Sequence, residues 1–194
     1  MFFSIILIEN SKITTTNDAI NFKTSGVNKV ILKNCNLKTT YTGNDAVIRY
    51  KEVINDLRLE NCVLAGGSTN SPLILSTAEN SYIKNLYFSN CSINLMGVLY
   101  VSTYTTSVDT YINLSNVVIE KTNRILEILN TNNIFLSYSN VKINSIINEA
   151  FRFVGSQKLT IYGNGWEWNA TKESIVGFTN VDCYAQDLPC NLAK

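Results

Sequence analysis

Residues 57–67 read LRLENCVLAGG, and the step from Leu59 through Asn61 to Cys62 decides the fold. Leu57 and Leu59 alternate with Arg58 and Glu60, the period of a strand with one face buried. Continued flat, that alternation would send Cys62 to the face opposite Leu59. A corner at Asn61 returns Cys62 and Leu64 to the same interior. Asparagine suits such a corner because it is one of the few residues besides glycine that enter the left-handed conformation at low cost.

The pattern apolar-x-apolar-x-Asn-small-x-apolar then returns along the chain. The segments are ILIENSKI from Ile6, VILKNCNL from Val30, LRLENCVL from Leu57, LYFSNCSI from Leu86, INLSNVVI from Ile112, LSYSNVKI from Leu136, LTIYGNGW from Leu159 and VGFTNVDC from Val176. Their corners are Asn10, Asn34, Asn61, Asn90, Asn116, Asn140, Gly163 and Asn180, spaced by 24, 27, 29, 26, 24, 23 and 17 residues. Gly163 keeps the left-handed option open. Between corners lies a third apolar segment: DAINFK, DAVIRYK, PLILST, GVLYVST, RILEILN and EAFRFVG.

Three short strands per repeat, stacked in parallel about 4.8 Å apart, predict an all-β, right-handed parallel β-helix of about seven to eight coils. The corner asparagines are expected to bond one another in a ladder. An antiparallel sandwich also spaces turns closely, but it has no reason to repeat an Asn corner at near-constant intervals. The β-helix is expected over residues 1–181, with 182–194 as a tail or linker.

Composition agrees. The chain has 194 residues, 45% of them apolar, enough for a continuous core. Its 27 asparagines and many Ser and Thr favour turns and strands over helices, and it has no histidine. Only 16% of residues are charged and the net charge is +1, with no basic cluster to meet a phosphate backbone, so nucleic acid is not expected as a partner. The opening MFFSIILIEN has neither a basic leader nor the length of a membrane span and reads as a coil strand, as though another coil preceded it.

The strand-Asn-strand corner and the coil length resemble the pectin-lyase-like right-handed β-helix superfamily over residues 5–181. LYFSNCSINLMGVLYVST is similar to the repeats of polymorphic-membrane-protein type, although most coils here lack their Gly-Gly-Ala-Ile. VDCYAQDLPCNLAK is similar to the Cys-(x)n-Pro-Cys segment that opens β-helix domains in large surface proteins of protists. The resemblance implies a piece of a tandem surface protein. Phage tailspikes, trimeric rods of the same fold, are the competing resemblance.

Enzymes of that superfamily cleave polysaccharides with grouped carboxylates. The motifs TNDAI and GNDAV set Asp18 and Asp45 at equivalent places of adjacent coils, near the separation of a retaining glycosidase pair, or else as a repeated Asx turn. Histidine bases are ruled out. An outward row on the third strand, Asn21, Arg49, Ile74, Tyr100, Glu127 and Arg152, is a candidate binding surface, with Glu127 pairing Arg152. Trp168 is a candidate sugar platform and Trp166 a core plug.

Cys35, Cys62 and Cys91 share one position in successive coils and read as buried reduced thiols rather than a metal stripe. Cys183 and Cys190, flanking Pro189, form the expected disulfide and suit an oxidising compartment. Sequons occur at Asn90, Asn113 and Asn169; Asn169 and Asn113 are the candidate glycan acceptors, since Asn90 serves the ladder. No metal or cofactor is expected. The reading is a non-catalytic spacer and adhesion module, extracellular, cell-surface or virion-surface, contacting neighbouring β-helix domains, identical protomers or surface glycans. A polysaccharide-degrading tailspike-type enzyme is the alternative.

Overall fold

A computed structural model describes residues 4–22, 27–40, 46–66, 72–76, 78–79, 81–102, 108–129, 132–146, 151–154, 158–168, 175–176 and 181–185. They form a parallel β-solenoid with no helix among the described residues. The first turn holds β1 (Ser4–Glu9), β2 (Lys12–Thr15) and β3 (Ile20–Phe22). The second holds β4 (Val27–Lys33), β5 (Asn36–Thr39) and β6 (Ile48–Tyr50). The third holds β7 (Ile54–Glu60), β8 (Val63–Gly66) and β9 (Ile74–Ser76). The fourth holds β10 (Ile83–Ser89), β11 (Ser92–Leu95) and β12 (Val98–Ser102).

In the fifth turn the first two strands run together as β13 (Thr110–Lys121), followed by β14 (Arg124–Leu129). Beyond these five turns, β15 (Asn133–Ile143), β16 (Phe151–Val154), β17 (Lys158–Trp168), β18 (Ile175–Val176) and β19 (Val181–Ala185) extend the stack. The first face runs β1-β4-β7-β10-β13-β15-β17-β19 and the third β3-β6-β9-β12-β14-β16-β18. All the pairings are parallel, as the sequence predicts. Because β19 pairs with β17, solenoid strand continues to Ala185, past the boundary expected at 181.

The corners form as predicted for six asparagines. Asn10, Asn34, Asn61, Asn90, Asn116 and Asn140 all have φ between 52° and 54°. Each side-chain amide Nδ2 donates to the Oδ1 of the corner one turn earlier: Asn34 to Asn10 (3.0 Å), Asn61 to Asn34 (3.1 Å), Asn90 to Asn61 (3.1 Å), Asn116 to Asn90 (3.1 Å) and Asn140 to Asn116 (2.9 Å). The backbone N–H of the same residue donates the other way, as when Asn61 N bonds Ser89 O at 2.9 Å. Every interior corner is thus tied to both neighbouring turns.

The seventh corner is Gly165, not Gly163. Strands β15 and β17 pair Tyr138 with Gly163 and Val141 with Trp166, which puts Gly165 opposite Asn140. Gly165 has φ 74°, in the left-handed region that asparagine fills at the other corners, and a Cβ there would lie 2.9 Å from Asn140 N, so it is the close approach that calls for glycine here. Gly163 answers a different need. It lies under the Tyr138 ring, whose carbons would come within 2.7 Å of a Cβ. Asn180 lies outside the described residues; the pairing of β17 with β19 begins at Leu159 and Val181.

The core is a set of columns, one residue per turn. Leu32, Leu59, Phe88 and Leu114 fill one column before the corner, and Leu37, Leu64, Ile93, Ile119 and Ile143 fill one after it; all are buried. Cys35, Cys62 and Cys91 occupy the position just past the corner and give way to Val117, Val141 and Trp166. All three thiols are free and buried. Each Sγ donates to a backbone carbonyl of the preceding turn: Cys35 to Ile8 O at 3.4 Å, Cys62 to Leu32 O at 3.4 Å, Cys91 to Leu59 O at 3.3 Å. Trp166 meets Tyr138 edge to face, with centroids 4.9 Å apart, and is the expected core plug.

Candidate functional site

The outward row of the third face differs from the predicted one at its middle. Register runs Asn21, Arg49, Leu75, Val101, Glu127 and Arg152. Ile74 and Tyr100 belong to the adjacent inward column and are buried, so Tyr100 is not a surface residue. The loops entering β9 and β12 differ in length from their neighbours, and a one-residue slip reverses the face of every side chain in a strand. Buried Tyr100 spends its hydroxyl on Tyr50, 3.0 Å away in the core.

The charged members of the row are engaged with one another. Glu127 accepts from Arg124 Nη1 at 3.0 Å and from Arg152 Nη1 at 3.2 Å. Asp18 accepts from the Ala46 N–H and Arg49 Nε, each at 3.0 Å, and from Asn21 Nδ2 at 3.0 Å. That carboxylate clips one turn to the next, as expected of a repeated Asx contact. The pairing of Ile20 with Ile48 sets Ala46 opposite Asp18, one residue away from the alignment of the two Asn-Asp motifs. Asp45, Cys190 and Asn169 lie outside the described residues. Cys183 lies in β19 rather than in a loop, its backbone opposite Ile161. The Trp168 backbone pairs with Ile143, and its side chain lies outside the described residues.

A groove that the sequence reading missed opens on the first face. The outward column there reads Leu7, Ile31, Arg58, Tyr87, Asn113, Ser137, Tyr162 and Tyr184. Six of these side chains are large. Asn113 and Ser137 are short, and they leave a notch two turns tall. Tyr162 stacks on Tyr184 with centroids 5.1 Å apart and planes 9° from parallel. At the other end the Arg58 guanidinium lies 4.7 Å over the Tyr87 ring.

Two residues upstream on the same strands, Tyr111 and Phe135 stack at 4.7 Å with planes 8° apart and wall one side of the notch. The floor is polar: Asn113 Nδ2 donates to Ser137 Oγ at 2.8 Å, and Ser137 Oγ donates to Ile112 O at 3.4 Å. The resulting groove has a volume of about 310 Å³ and no charged residue in its lining. Asn113, the candidate glycan acceptor, is therefore part of this floor. The signal was present in the repeat: once Gly165 is the corner, Tyr162 falls at the position of Tyr87. Placing the corner at Gly163 hid that match.

Comparisons with protein-family models, with curated proteins and with solved structures find no match for this chain.

Proposed function

We propose that this chain is a non-catalytic, rigid spacer and adhesion module of an extracellular or cell-surface assembly. The observation that carries the reading is the ladder of five Asn–Asn side-chain bonds laid over parallel backbone pairing, which ties each turn to the next. A solenoid coupled in this way resists bending and offers long, flat faces for contact. The Asp18–Arg49 and Arg124–Glu127–Arg152 contacts add struts of the same kind on the third face. The corner and coil length favour a relation to the pectin-lyase-like β-helices, with surface-protein repeats as the nearest analogy; neighbouring β-helix domains or identical protomers would continue the stack.

The test is an assay of the purified chain against a panel of plant and bacterial polysaccharides, measuring new reducing ends. No release is expected. Release that Asp18→Asn abolishes, with the fold intact by circular dichroism, would instead make the chain a polysaccharide-degrading enzyme.

A further inference from the structure

We infer that the first-face notch is a binding site for an uncharged saccharide, whose rings complete the interrupted side-chain column. The inference rests on the adhesion reading above and gives it a ligand class. Three turn spacings separate Tyr87 from Tyr162, about 14 Å at the usual parallel-strand spacing. The far face of each ring is already covered, by Arg58 and by Tyr184 respectively. Rings stacked along the solenoid axis present their remaining faces to the gap, one from either end. Asn113 and Ser137 leave room there for two rings at the same spacing.

Three features select the chemistry. Tyrosine faces offer π-density to the apolar C–H faces of a pyranose ring. An amide and a hydroxyl at the floor supply donors and acceptors for sugar hydroxyls, and among the described residues no hydrogen bond reaches Asn113 Oδ1. The lining holds no charged group, so an acidic sugar would lose hydration without gaining a counter-ion. The groove volume of about 310 Å³ is at the small end of ligand clefts and fits a short stretch of chain.

Binding is read by isothermal calorimetry and saturation-transfer NMR with cellotetraose, chitotetraose and mannotetraose, using trigalacturonate as the acidic control. At least one neutral probe is expected to bind and trigalacturonate is not. Tyr162→Ala should weaken binding about tenfold. Ser137→Tyr should abolish it by filling the notch with protein, while the urea midpoint stays level or rises because the column is completed. Leu7→Ala, exposed on the same column but three turns beyond Tyr87, should leave binding within about twofold and serves as the folded control.

Failure of all three neutral probes overturns the inference. So does binding that survives Ser137→Tyr, a preference for trigalacturonate, or capture of a tyrosine-containing peptide with no saccharide bound. Reducing ends measured in the same samples keep the two readings apart: their release would remove the non-catalytic reading and leave the site, whereas absent binding removes the site and leaves the spacer.

Discussion

Asn61 carries more than a turn. It donates to Asn34, accepts from Asn90 and holds φ 53°. Asn61→Ala removes two hydrogen bonds and puts a residue without local hydrogen bonding into the left-handed region, so urea unfolding should show a loss of about 2–4 kcal/mol. Asn61→Gly keeps the backbone and should lose less. Cys62 makes a second residue-scale test. Its thiol is pushed up, first by its hydrogen bond with Cys91 and then by burial. A folded-state pKa raised above the ordinary value of 9.0 adds stability that is complete below that pH. The stability is lost as pH rises above it, because the unfolded thiol ionises there and the folded one does not. A thiol reagent should leave Cys35, Cys62 and Cys91 unmodified until the chain unfolds.

At the scale of elements, strand β17 passes its corner without a break, as β13 and β15 do around asparagine, but it does so around glycine. Gly165 makes the corner and Gly163 receives the Tyr138 ring from β15. Gly163→Ala should cost about 1–3 kcal/mol through overpacking, because a Cβ there meets the Tyr138 backbone carbonyl as well as the ring, and Tyr138→Leu, which keeps that carbonyl and a Cγ, should recover little of it; thermal unfolding of the two single variants and the double variant measures the coupling. The same strand marks where the sequence could be read and where it could not. Six corners were legible because Asn fixes both the conformation and the ladder. The seventh was not, because YGNGW offers two glycines with different jobs, and only pairing with β15 separates them. Tyr100 was misplaced for a related cause: GVLYVST is apolar at nearly every position, so its alternation does not say which side faces water. The groove is legible only after the register is known, since its residues come from four separate repeats.

For the whole molecule, the fold class follows from repetition alone, whereas the site is a local departure from it. Two short residues in a column of large ones are invisible to composition and to any single motif. The charged row that looked most like a site turns out to be internally paired, as expected when opposite charges meet at the spacing of adjacent parallel strands. Deleting one such strut should matter little: Glu127→Gln is expected to lower stability by about 1 kcal/mol or less, measured by urea unfolding, because the pair is partly solvated. The core columns should matter more, with Leu59→Ala costing about 2–5 kcal/mol in the same measurement.

Everything rests on the stacking of residues about 25 positions apart in parallel register, and solution NMR tests that directly. Nuclear Overhauser contacts from each Asn side-chain amide should reach the corner of the preceding turn: Asn34 to Asn10, Asn61 to Asn34, Asn90 to Asn61, Asn116 to Asn90 and Asn140 to Asn116. Cross-strand contacts that instead link neighbouring segments in antiparallel order, with no corner-to-corner contacts, would contradict the solenoid and every assignment built on it.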